Sequence, residues 1–259
     1  DLDIYFISGE GELSLTFRSK GQARIWDPVS GGIRDAECHA TEDGRSFLML
    51  SLPSNGSAFV VFERLGSGVS AKPETPLGGR APLEVGGPWD VSFRYHKLQA
   101  VPPPGRVWTR LEDLASDEDP LVRHFSGTVT LETSVNLGGD QTASFGVLSL
   151  GSVEGGLAHV YVNGQDMGTV WTAPWEADIR GSLKEGENRI RIDFTNTWRN
   201  LLIRDAALPE DERLTRTGLH FYDFPRRKYS WGWYPNLFAG YSSGDPLCPN
   251  GVLGPVALR

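Results

Sequence analysis

Three tryptophans, Trp171, Trp175 and Trp198, precede the planar polar residues Asn200, Arg204 and Asp205, and an aromatic group, Trp231, Trp233 and Tyr234, follows them. Sugars offer C–H faces that stack on indole and phenol rings. Their hydroxyls are bonded by amides, carboxylates and guanidinium groups. Aromatic and planar polar residues together on loops are therefore a pattern for carbohydrate contact. The same residue types also seal the ends of β-sandwiches. For Trp171 and Trp175, packing and contact with a ligand or a neighbouring domain both stay open. Trp231 and Trp233 flank one glycine in "SWGWY", so an extended backbone would put both on one face, where a ligand or a protein could meet them. Trp26 and Trp89 are read as packing alone.

Catalysis by this chain is not expected. Glycoside hydrolysis takes two carboxylates roughly 5–10 Å apart, but with 33 acidic residues a pair is easily proposed and means little. "EDLASDED" and "PEDER" read as solvated loops. Asp178 and Asp205 sit beside apolar neighbours and are expected to make structural hydrogen bonds. The histidines, His39, His96, His124, His159 and His220, lack metal-binding spacing. "DPVSGGIRD" is a glycine-rich turn without the ending of a phosphate loop. Cys38 and Cys248 are too far apart in sequence to suggest a disulfide framework or a cysteine zinc site. No catalytic residue is assigned and no cofactor is required; a structural calcium, with no ligands named, is left open. A formal net charge of −8 argues against nucleic acid. No apolar run approaches the roughly 18 residues of a membrane span.

The elements that would hold these residues are β-strands. Glycine and proline punctuate short segments throughout, the habit of an all-β protein. Residues 1–64 read as a small β-sandwich module of about six strands, incomplete at its N-terminus. In it "ELSLTF" alternates, "ARIWDPVSGGIRDA" gives strand, turns, strand, and "SFLMLSLPSNGSAFVVFER" gives two strands around "PSNG". Residues 65–87, rich in Gly, Pro and Ser, read as a linker. Residues 88–259 form a second sandwich. There "RVWTRLEDLASDED" holds a short helix, "VRHFSGTVTLETSVNL" is a strand pair, and Asn163-Gly164 marks a hairpin. Further on, Ile190, Ile192 and Phe194 face inward while Arg189, Arg191 and Asp193 face out. Residues 196–259 look long and irregular, with a helical turn at "ALPEDERL" and a closing strand "VLGPVALR". The opening "DLDIYFISGEGELSLTF" has no Met and no signal core, and is read as a processed or partial chain whose upstream neighbour is missing.

"VYVNGQDMGTVWTAPWEADIRGSLKEGENRIRIDFTNTWRN" resembles the galactose-binding-like jelly roll of large glycoside hydrolases of the β-galactosidase and β-glucuronidase kind. "TNTWRNLLIRDAALPEDERLT" followed by "DPLCPNGVLGPVALR" is similar to the C-terminal end of α-L-rhamnosidases of glycoside hydrolase family 106. "RIWDPVSGGIRDA", "GSAFVVFER" and "GPWDVSF" match the region before it in the same order. The family's Arg-Leu-Ile-Gly-Asp is Leu201-Leu202-Ile203-Arg204-Asp205 here. The resemblance implies a bacterial parent, periplasmic or secreted, that degrades a plant or algal polysaccharide, one containing rhamnose included. It also implies that the catalytic barrel lies upstream of this chain. The chain is then an accessory, carbohydrate-binding or bracing region. An autonomous lectin-like module and a purely structural cap are the alternatives.

Overall fold

The computed structural model describes residues 2–63, 81–95, 102–214 and 241–259. Regular structure in them is mostly antiparallel β, and the chain divides into two compact units, the second beginning at Gly79.

The first unit is organised by two long strands, β1 (Leu2–Phe17) and β5 (Ser46–Glu63), paired almost end to end. Beside β5 lie β2 (Ala23–Trp26) with β3 (Ile33–Ala36) along one half, and β4 (His39–Ala40) along the other. The register slips between Gly9 and Gly11, opposite Leu52 to Gly56. Such a bulge bends a strand. Gly56 is needed there, since a Cβ would lie 2.7 Å from the Pro53 carbonyl oxygen. The bent hairpin folds onto itself: Phe17 from one half meets Tyr5 and Phe62 from the other at ring separations of 4.9 and 5.4 Å. Ile25, Leu48, Leu50, Leu52, Val60 and Phe62 complete this small core. "PSNG" is thus not a turn between two strands. Asn55 takes a positive φ of 56° inside one continuous strand, because β1 runs past it on the same partner.

The second unit is a β-sandwich. Its larger sheet runs, in spatial order, β13 (Gln165–Val170), β12 (Gly156–Val162), β15 (Gly186–Asn196), β9 (Gly127–Leu137), β7 (Trp89–Tyr95) and β8 (Arg106–Trp108). The facing strands are β14 (Glu176–Asp178), β10 (Val147–Ser149), β17 (Ala257–Leu258) and β6 (Leu83–Glu84), with the pair β11 (Ser152–Glu154) and β16 (Gly251–Gly254). Val129, Leu131, Val160, Ile190, Ile192 and Phe194 point from the larger sheet into one core with Leu148, Val153, Val252 and Leu258. Trp89 is fully buried there.

Asparagines fix the connections. Asn163 and Gly164 take φ of 51° and 79°, the left-handed pair a two-residue hairpin needs. The Asn163 amide nitrogen donates to Ser182 O and to Asn188 Oδ1, and its oxygen accepts from Arg189 N. Asn188, fully buried, donates in turn to the carbonyls of Lys184 and Gly186 and accepts from Lys184 N. Asn196, at the end of β15, accepts from Gly127 N and donates to Phe125 O.

Several sequence expectations are corrected. "VRHFSGTVTLETSVNL" is not a strand pair: it takes in the end of a four-residue helix, α1 (Pro120–Arg123), and then the single strand β9. "VLGPVALR" is two strands, β16 and β17, which pair with different partners on either side of Pro255. The stretch after Asn196 is not irregular at its start; it enters the helix α2 (Arg199–Ala206). The final residues of the expected linker belong to the sandwich: β6 pairs with β17, and Val85 is buried, its N–H donating to Val256 O. Among the described residues the first unit has five strands, since "PSNG" does not divide β5.

Candidate functional site

Four of the expected contact residues fall within or beside α2, and the helix divides them into two kinds. Asn200, Leu201, Ile203 and Asp205 form its buried side. The Asn200 side chain mimics a strand partner: Nδ2 donates to Cys248 O at 2.9 Å, and Oδ1 accepts from Cys248 N at 3.0 Å. Its own carbonyl oxygen lies 3.1 Å from His124 Nδ1. Asp205 Oδ1 accepts from Leu214 N at 2.6 Å. Both polar groups are therefore committed to holding the chain that follows. Trp198, the residue before the helix, is 47 % exposed and makes no side-chain cap. Arg204 is half-buried.

The charge of Arg204 is felt by two groups from other elements. The Tyr95 ring lies 4.9 Å from that of Phe125, and its hydroxyl is enclosed without a hydrogen-bond partner among the described residues. Burial pushes Tyr95 above the ordinary phenol value, and the positive charge of Arg204 works against that rise. Burial also pushes His124 below the ordinary imidazole value, opposed by its bond to Asn200 O and reinforced by Arg204 and Arg123. On the same helix the Arg199 guanidinium lies 5.8 Å from the centre of the Tyr241 ring, within cation–π range. Trp198 and Tyr241 thus leave exposed aromatic surface around the start of α2, with the half-buried Arg199 beside Tyr241.

Trp171 and Trp175 lie elsewhere, on the connection from β13 to β14. Trp171 is 57 % exposed. Trp175 has φ of 60°, packs half-buried against the sandwich core, and accepts from Leu150 N through its carbonyl oxygen at 2.8 Å. Trp231, Trp233 and Tyr234 lie outside the described residues. Asp178 is exposed and paired with Arg180.

One polar network was not expected from sequence. On the outer face of the larger sheet, Arg191 stacks 4.6 Å from the Tyr161 ring centre and binds Asp193, which also accepts from Thr130 Oγ1 at 2.8 Å. Burial disfavours the Asp193 carboxylate, but the hydrogen bonds from Arg191 and Thr130 outweigh it and hold the group below its ordinary value. His159 Nδ1 meets Thr169 Oγ1 at 2.7 Å, and its Nε2 lies 2.8 Å from Asp166. Only the pairing register of β12, β13, β15 and β9 brings these residues together. The alternation of β15 could signal which side chains face out, not what they meet.

Other acidic side chains are also engaged: Arg106 bridges Asp117 and Asp119, and Arg189 meets Glu132. Among the described residues no group of three His, Cys, Asp or Glu side chains is placed to hold a metal ion. No helix among them is long and apolar enough to cross a membrane.

A two-sheet sandwich with this hairpin and these asparagine ties defines a galactose-binding-like domain. The sequence profile of the glycosyl hydrolase 2 galactose-binding domain-like family matches residues 89–239, and the chain belongs to that family. A curated protein of Formosa agariphila, provisionally named a beta-glucuronidase, is 30 % identical over 188 residues, 69 % of this chain and 16 % of its own length. The solved structure of a rhamnosidase from Novosphingobium sp. PP1Y is 30 % identical with a TM-score of 0.69, covering 98 % of this chain and 22 % of that one. The chain thus spans about a sixth to a fifth of the length of these two proteins.

Proposed function

We propose that this chain is a non-catalytic accessory region of a longer, polysaccharide-degrading glycoside hydrolase similar to family 106 α-L-rhamnosidases. It braces a catalytic domain and adds carbohydrate contact near α2. The observation that carries the reading is the likeness to the rhamnosidase, which runs through both units in order yet takes up only 22 % of that protein. The chemistry agrees with it. Asn200 and Asp205 are occupied in structural bonds, and Asp117 and Asp119 are tied to Arg106. The chain by itself should not hydrolyse aryl rhamnosides; turnover that survives repurification would overturn the reading.

A second reading, an autonomous carbohydrate-binding module, is favoured by the exposure of Trp198 beside Arg199 and Tyr241. A glycan array probed with the chain alone separates the two. Binding tighter than millimolar, lost in Trp198→Ala, supports the module. Absence of binding leaves the bracing role.

A further inference from the structure

The two units treat the outer faces of their sheets in opposite ways. In the second unit the larger sheet turns Thr169, His159, Asp193, Thr130 and Ser92 outward in one row, a polar surface suited to water. In the first unit the outward positions over the N-terminal half of β1 are Leu2, Ile4 and Phe6. Across the pairing register, Ile4 faces Val61, which is fully buried, and Phe6 faces Phe59, which faces Trp26 on β2, both half-buried, so the exposed apolar surface is that of β1. Ile4 is 55 % and Phe6 61 % exposed, and the Phe6 and Phe59 rings lie 5.4 Å apart.

The sequence carries the same message. "AFVVF" (58–62) is a continuous apolar run and "IYFI" (4–7) nearly so, whereas a strand with one wet face alternates. Unbroken apolar runs belong to strands covered on both sides. An exposed apolar face of this kind marks an interaction surface. Among the described strands β1 pairs only with β5, and proteins cover long apolar edges.

We infer that the outer face of β1 and β5 around Ile4, Phe6 and Phe59 is the docking surface for another domain of the same polypeptide, one presenting a complementary apolar face. This rests on the accessory reading above. The occupant is chosen because the shared segment is only 16 % and 22 % of the two relatives, the rest of each being further chain.

Hydroxyl-radical footprinting of this chain and of the full-length product of its gene tests the inference. In the chain alone Ile4 and Phe6 should react freely at every protein concentration; in the full-length product their reactivity should fall at least tenfold. Phe6→Lys should leave the melting temperature of the isolated chain unchanged and lower that of the full-length protein. A longer product in which both residues stay reactive defeats the docking inference only. A gene product no longer than this chain defeats the accessory reading itself. Protection that grows with concentration in the chain alone, with a dimer in sedimentation, assigns the face to a second copy and also overturns the proposal.

Discussion

Two residues at the entry to α2, Trp198 just before it and Asn200 within it, both read from sequence as contact residues, have different work. Asn200 is buried and replaces a missing strand partner for Cys248, so Asn200→Ala leaves a buried N–H and C=O unmatched. A loss of about 2 kcal/mol is expected in urea denaturation. Trp198 is exposed, and Trp198→Ala should change stability by no more than about 0.5 kcal/mol in the same measurement. His124 supplies a pH dependence. Its imidazole is held below the ordinary value of 6.5 in the folded chain, so the unfolded chain takes up the proton first. Its contribution to stability is complete above that value and is lost as pH falls from it toward the folded value. His124→Gln should flatten this part of the stability profile measured by thermal melts between neutral and mildly acidic pH.

At the scale of elements, asparagine side chains tie the loops of the sandwich by hydrogen bonds. Asn188→Ala removes bonds to Lys184, Gly186 and Asn163 together, and should cost about 3 kcal/mol by chemical denaturation. The sandwich was legible because its signals are local: Asn163-Gly164, and the alternation of Ile190, Ile192 and Phe194. α2 was not, because two of its four buried positions are Asn200 and Asp205, which leaves no apolar stripe to read, and because Trp198 offers no capping side chain. "PSNG" misled for a related reason. Turn residues announce a bend, but whether the strand resumes on the same partner depends on β1, more than forty residues earlier. Of the candidate site, residue types were readable. Which of them were occupied depended on Cys248 and Leu214, partners set by tertiary structure.

At the scale of the molecule, two separate cores sit on one chain, and they are unequal. A smaller unit buries a smaller share of its surface on folding, so the first should be the weaker. Calorimetry is expected to show two transitions, and Gly56→Ala, which forces a Cβ into the Pro53 carbonyl, should lower the first by several degrees and leave the second in place. Coincident transitions that shift together would contradict this. The division of β16 and β17 between partners has a consequence for biosynthesis. Val252, Val256 and Leu258 fill the large core, yet they are translated after every strand they join. The ribosome must therefore deliver nearly the whole second unit before the sandwich is complete, and until then the core lacks the side chains of β16 and β17.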